Sequence, residues 1–161
     1  MKLHQVKRTQ FIDRPIEEVW NFFSNPRNLR KITPVSMDFQ IRSELPDEIY
    51  AGMIIEYQVR PIANIPMTWV TEITQVQKPY FFIDEQREGP YAFWHHQHHF
   101  KAVDGGTEVT DLVHYKVPLG FLGRIFQPIF VEPQLNAIFN YRNDALNKLL
   151  PKKEEHQTAV S

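Results

Sequence analysis

Four imidazoles fall within five consecutive residues, His95-His96-Gln97-His98-His99. Imidazole exchanges a proton near neutral pH, and its neutral nitrogens ligate transition metals. Alternate side chains of a strand share a face, so His96 and His98 stand together, about 7 Å apart along the backbone. His95 and His99 then occupy the opposite, solvated face. Trp94 and Phe100 extend the His96 face on either side, making it bulky and unexpectedly polar at its middle. In the next segment Val109, Asp111, Val113, Tyr115 and Val117 alternate with Glu108, Thr110, Leu112, His114 and Lys116. Asp111 therefore lies on an apolar face, where a carboxylate needs a partner to stay charged.

Two chemistries compete for these groups. His96, His98 and Asp111 could hold zinc or another divalent ion with positions left open for substrate. The simpler reading makes both histidines neutral donor and acceptor groups that orient one another and Asp111 in the polar patch of an apolar cavity. The simpler reading is adopted, so no metal and no cofactor is assigned. Arg142 is the expected partner of Asp111, because it shares a helical stripe with Leu135, Ile138, Phe139 and Leu146. Asp84 and Gln86 share one face of their strand with Phe82, and Ile83, Glu85 and Arg87 share the other; the pattern leaves open which face is inward.

The elements that must position these groups follow from periodicity and turn residues. Residues 3–12 alternate as a first strand, and Asp13-Arg14-Pro15 supplies a capping carboxylate and a proline suited to a first helical turn. Ile16, Val19, Trp20 and Phe23 recur at helical spacing. Ser24-Asn25-Pro26 ends that helix and starts a second short one, which carries Leu29 and stops before Thr33-Pro34. Period-two patterning then predicts strands near 37–44, 53–60, 67–77, 80–88, 93–103 and 107–117, joined as sequential antiparallel hairpins. A broken apolar helix is expected across Leu122, Ile125, Phe126, Ile129 and Phe130, because Pro128 and Pro133 each remove a helical donor. A long amphipathic helix follows from Leu135 to Leu149. Residues 151–161 read as a polar, disordered tail, leaving 1–150 as one domain.

Only the last helix is long enough to cover the buried face of such a sheet, so the fold class is α+β: a seven-stranded curved antiparallel sheet around a C-terminal helix. A curved sheet and a straight helix diverge at their ends, and the gap between them is the expected pocket.

Composition removes several function classes. The chain has 161 residues, 42% of them hydrophobic, which suits one domain with a sizeable core. Its formal net charge of -1, without a basic stripe, argues against nucleic acid. The absence of cysteine excludes disulfides and thiolate chemistry. No apolar run reaches the roughly 20 residues of a spanning helix, and Met1 to Lys7 lack the apolar stretch of a signal peptide, so a cytoplasmic protein without stable membrane insertion is expected. There is no nucleophile elbow, phosphate loop, dinucleotide fingerprint or His-Glu-x-x-His pattern. Oligomeric state is not legible.

The element order, with Pro15-Ile16-Glu17-Glu18-Val19-Trp20, Phe23 and Pro26-x-Asn28-Leu29-x-x-Ile32-Thr33-Pro34, resembles the START/Bet v 1-like (SRPBCC, polyketide cyclase-like) superfamily over nearly the whole chain to about residue 150. Asp84-x-Gln86-x-x-Gly89-Pro90-Tyr91, Trp94-x-His96-x-His98-x-Phe100, Gly106-Thr107-x-x-x-Asp111-x-Val113-x-Tyr115 and Phe139-x-Tyr141-Arg142 are similar to a bacterial ligand-binding branch of it. The resemblance implies a helix-grip fold with a deep hydrophobic cavity. It does not imply one activity, because the superfamily includes carriers, receptors, cyclases and regulators.

The expected function is binding of a small hydrophobic molecule: a lipid, an aromatic compound or a polyketide-like metabolite. Trp69, Trp94, His96, His98, Phe100, Asp111, Tyr115, Phe126, Phe130, Phe139 and Arg142 are the expected binding residues. The alternative is a cyclase, aromatase or hydratase in which His96 or His98 acts as acid or base and Asp111 orients it. A regulatory interaction protein is a third possibility, with no surface motif behind it.

Overall fold

The computed structural model describes residues 2–62, 65–118, 120 and 127–151. Seven strands form one antiparallel sheet: β1 (His4–Ile12), β2 (Gln40–Ile41), β3 (Met53–Ile62), β4 (Ile65–Gln77), β5 (Phe81–Glu88), β6 (Phe93–Val103) and β7 (Gly106–Lys116). Their spatial order is β1-β7-β6-β5-β4-β3-β2. Consecutive strands from β2 onward are therefore neighbours, as short turns favour, and β1 closes the edge beside β7. The β1–β7 approach is tight: a Cβ on Gly106 would collide with the carbonyl oxygen of Ile12, so only glycine is accommodated there.

Helix α1 (Ile16–Phe23) buries Ile16, Val19 and Trp20 and carries Glu17 and Glu18 in its first turn, where the helix dipole favours them. Pro15 is its N-cap and no side chain caps it. The N-cap position thus falls two residues after the expected Asp13. A 3₁₀ helix, Pro26–Ile32, follows, and the Asn25 side chain accepts a hydrogen bond from the Arg27 N–H at 3.0 Å.

β2 is much shorter than the expected 37–44. Val35–Met37 instead forms a 3₁₀ turn, and Asp38 takes a left-handed conformation at φ 42°. This turn sends Met37 and Phe39 together into the core, which a strand at these positions could also do only by keeping period two.

The C-terminal helix α2 (Glu132–Leu149) buries Leu135, Phe139, Arg142 and Leu146 on one stripe against the sheet. Pro133 sits in its first turn, where a missing N–H costs little. The helix is thus not broken at Pro133; a π-helical turn, Gln127–Val131, leads directly into it. Phe126, Leu122 and Ile125 lie outside the described residues, as does the expected tail beyond residue 151. No helix among the described residues is long and apolar enough to cross a membrane.

The core falls into two parts. Trp20, fully buried, packs edge-on against Phe82 and Phe100 beneath α1. Trp94, Val113, Tyr115, Leu135 and Phe139 form a second cluster between β6, β7 and α2. The space between them is the helix-grip cavity.

Candidate functional site

Strand parity brings the polar groups together. On β6, Trp94, His96, His98 and Phe100 are buried, and on β7 Val109, Asp111, Val113 and Tyr115 are buried, as the alternation predicts. In the ladders Asp84 lies opposite His96, and Asp111 lies opposite His98. Asp84 therefore belongs to the inner face, which the sequence left open.

The hydrogen bonds cross this ladder diagonally. His96 Nε2 donates to Asp111 Oδ1 at 2.8 Å, and His98 Nε2 donates to Asp84 Oδ2 at 2.8 Å. Arg142 Nη1 reaches from α2 and donates to the same Asp111 oxygen at 2.9 Å, the pair expected from the sequence. The two remaining imidazole nitrogens face the other carboxylate: His98 Nδ1 is 2.8 Å from Asp111 Oδ1, outside hydrogen-bonding geometry, and His96 Nδ1 is 3.6 Å from Asp84 Oδ2. The imidazole centroids are 3.8 Å apart, and Phe82 stacks on His98 at 4.2 Å.

Charge follows from these contacts. Burial would raise the Asp111 carboxyl, but Arg142 and the two histidines outweigh it and hold it well below the ordinary carboxylate range. Burial of Asp84 is likewise outweighed, by the His96 charge and the His98 hydrogen bond, and its pKa is lowered. The histidines diverge. Burial, reinforced by repulsion from His98, lowers His96, whereas burial of His98 is overcome by its contacts with Asp111 and Asp84, which raise it. Of the two imidazoles, His98 is thus the one whose protonated form the carboxylates favour.

This network forms one wall of a cavity of about 180 Å³ between sheet and α2. Aliphatic and aromatic side chains from α1, the 3₁₀ helices, β3, β4 and α2 line most of the rest, including Leu29, Val59 and Ile138, together with the uncharged polar side chains of Asn28, Thr33, Thr71 and Gln134. Besides Tyr57 and Tyr91, whose phenols burial pushes upward, the ionisable lining residues are Asp84, His96, His98 and Arg142. All four belong to the network.

Of the expected binding residues, Trp69, Trp94, His96, His98, Phe139 and Arg142 line this cavity. Phe100, Asp111 and Tyr115 are buried but stand behind its wall. Phe100 is taken up by Trp20 and Phe23, Asp111 by the two histidines and Arg142, and the Tyr115 hydroxyl accepts from Gln127 Nε2 at 3.1 Å. Phe130 points away, 59% exposed, because the π-helical turn takes an extra residue and buries Gln127 in place of the extrapolated stripe. Phe126 lies outside the described residues.

Asp84 and Tyr91 are among the lining residues that the expected set lacks. Asp84 was masked by Phe82 and Ile83, which are both buried and break the alternation. Tyr91 packs against Trp69 and Trp94 with centroids 5.7 and 4.7 Å away, held by Gln86, whose amide donates to the Tyr91 carbonyl and accepts from its N–H.

Asp84, His96 and His98 each offer one ligand-type atom, and these atoms lie within 4.8 Å of one another. Among the described residues, this is the group that could hold a metal ion. The set considered from the sequence differs by one member, since Asp111 stands behind the histidines and bonds His96 there.

The sequence matches the model of a family described as polyketide cyclase/dehydrase and lipid transport over residues 12–139. A comparison with curated proteins finds no match. Among solved structures, a Mycobacterium smegmatis protein is similar with a TM-score of 0.63 at 16% identity, covering 92% of this chain and 98% of that one. A Chromobacterium violaceum protein gives a TM-score of 0.69 at 10% identity, over 92% and 98%. Ara h 8.0201 gives 0.60 at 11% identity, over 91% and 99%. At these identities the likeness concerns the fold, which is the helix-grip fold of the START/Bet v 1-like superfamily.

Proposed function

Because the chain belongs to the polyketide cyclase/dehydrase and lipid transport family, we propose that it binds a compact apolar molecule in the cavity between sheet and α2, with a polar group of that molecule directed at the His96, His98 and Asp84 wall. The observation that carries this reading is the segregation of charge in the lining: a largely apolar chamber whose carboxylate, imidazole and guanidinium groups all sit in one network. Such sites bury apolar surface for affinity and use a few converging polar groups for orientation.

Size narrows the ligand class. An engineered apolar cavity of about 150 Å³ holds a benzene ring, so the volume here, about 180 Å³, favours an aromatic or small fused-ring molecule. A long acyl chain would have to leave much of its length outside. Trp69, Trp94 and Tyr91 supply ring faces and edges for such a molecule.

Native mass spectrometry of the purified full chain tests the proposal. Retained or added aromatic ligands at one per chain support it. Consistently empty protein, with no binding across a broad library of aromatic compounds and lipids, overturns it.

A second reading, an enzyme of the cyclase, aromatase or hydratase kind, is favoured by one observation: adjacent imidazoles of opposite protonation tendency on the cavity wall. His98 would donate a proton and His96 accept one, with Asp111 as a positioning residue for both. Turnover of an aromatic polyketide-like substrate that disappears in His96→Ala would move the protein from carrier to enzyme.

A further inference from the structure

We propose that Asp84, His96 and His98 form a binding site for a divalent transition-metal ion of the zinc type. A tetrahedral ion with bonds of about 2.0 Å places its ligand atoms about 3.3 Å apart. Asp84 Oδ2 lies 2.8 Å from His98 Nε2 and 3.6 Å from His96 Nδ1, on either side of that value. All three donor atoms lie within 4.8 Å of one another, so side-chain rotation can bring them to an ion between them. Two nitrogens and one carboxylate oxygen suit zinc or cobalt; calcium and magnesium prefer all-oxygen shells.

The atoms on the far side of the rings strengthen the assignment. Histidines that ligate a metal usually direct the other ring nitrogen to a carboxylate, which fixes ring orientation and raises ligand basicity. Here the non-ligating nitrogens, His96 Nε2 and His98 Nδ1, are both 2.8 Å from Asp111 Oδ1. Arg142 holds that same oxygen at 2.9 Å. A buried carboxylate thus hydrogen-bonds His96 from behind and stands beside the far nitrogen of His98, and a cation on another element holds the carboxylate. An ordinary polar patch does not require this two-layer order.

The three ligands also line the cavity, whereas Asp111 does not. An ion would therefore have a protein-free side facing the chamber, the arrangement of sites that accept an exogenous donor rather than closed structural sites. The donor class is an oxygen anion: phenolate, enolate or carboxylate. With the ion in place of the His98 proton, the network of two carboxylates and one guanidinium carries an excess positive charge. This site is independent of whether an apolar molecule also binds.

Titration of the full chain with Co2+ alone, after dialysis against a chelator, tests the proposal by visible absorption. The expected result is saturation at one equivalent with bands of a low-coordinate nitrogen and oxygen site. Asp84→Asn should weaken binding at least about tenfold, and His95→Gln, on the outer face beside Glu85, should leave it unchanged. Absence of stoichiometric binding, or loss in His95→Gln with retention in Asp84→Asn, overturns the site. Should Asp84→Asn fail to fold, long-range nitrogen NMR of the unaltered chain with Zn2+ decides. Shifts of His96 Nδ1 and His98 Nε2 support the site, and shifts confined to His95, His99 or His114 overturn it. None of these readouts depends on an organic ligand, so their failure is distinct from failure of the apolar-ligand proposal.

Discussion

His98 stands directly opposite Asp111 in the β6–β7 ladder, yet its Nε2 proton goes to Asp84 on the strand at its other side. His96 makes the converse choice, lying opposite Asp84 and bonding Asp111. Three strands are therefore tied through side chains as well as backbone, and Arg142 ties the group to α2. Such networks respond to the loss of one member more strongly than a sum of pairs would suggest.

Asp111→Ala tests that coupling. It leaves the Arg142 guanidinium buried without its anion and the His96 Nε2 proton without its acceptor, while His98 keeps Asp84; breaking a buried pair in this way typically costs about 3 to 5 kcal/mol. For a chain of this length each kcal/mol shifts the midpoint by about 2 to 4 °C, so thermal denaturation should show a drop on the order of 10 °C. Unchanged stability would mean that the carboxylate is hydrated in solution.

Much of this arrangement was legible before the structure. His96, His98 and Asp111 followed from parity because β6 and β7 alternate without interruption, and Arg142 followed from the apolar stripe of α2. Legibility failed where periodicity fails. On β5 the neighbours Phe82 and Ile83 point to opposite faces and are both buried, so hydrophobicity could not say which face carries Asp84. Leu29, Met37 and Phe39 line the cavity from 3₁₀ segments and a left-handed turn, which have no long repeat to read. Phe130 was displaced by a π-helical turn that looks like ordinary helix in sequence. Ring packing, such as Tyr91 on Trp94, depends on tertiary contacts that no spacing encodes.

Stability should pass through a maximum near pH 6.5. The lowered His96 stabilises the fold fully above its unfolded pKa of about 6.5, and this contribution is lost as pH falls through its folded value. The raised His98 does the reverse: its contribution is complete below about 6.5 and is lost as pH rises through its folded value. Below about pH 3.9, protonation of Asp84 and Asp111, both lowered, removes a further contribution. Urea midpoints measured from pH 3 to pH 9 check this sequence, and His98→Gln should flatten the alkaline limb. A midpoint that climbs steadily from pH 6 to pH 9 would contradict the assignment of the proton to His98.

Gln127 offers a test that separates packing from binding. Its side-chain amide donates to the Tyr115 hydroxyl and to Glu132 Oε2, at 3.1 and 3.2 Å, but Gln127 does not line the cavity. Gln127→Ala should cost about 1 to 3 kcal/mol by leaving buried polar groups unpaired. Calorimetry should register that loss while the affinity for an aromatic probe stays constant. A large fall in probe affinity would place Tyr115 in contact with ligand.

Filling the chamber gives the most direct test of its use. Ile138 lines the cavity from α2 and is only partly buried, so Ile138→Trp can extend into the empty volume with little strain on the core. Phe130, two helical turns away in sequence and exposed, supplies the contrast, since Phe130→Ala removes a large apolar group without touching the lining. With anilinonaphthalene sulfonate as a fluorescent probe, Ile138→Trp should weaken binding tenfold or more, which corresponds to about 1.4 kcal/mol, and Phe130→Ala should leave it unchanged. The reverse pattern would move the binding surface out of the chamber and onto the exposed π-helical turn, where Ile129 and Phe130 are both open to solvent.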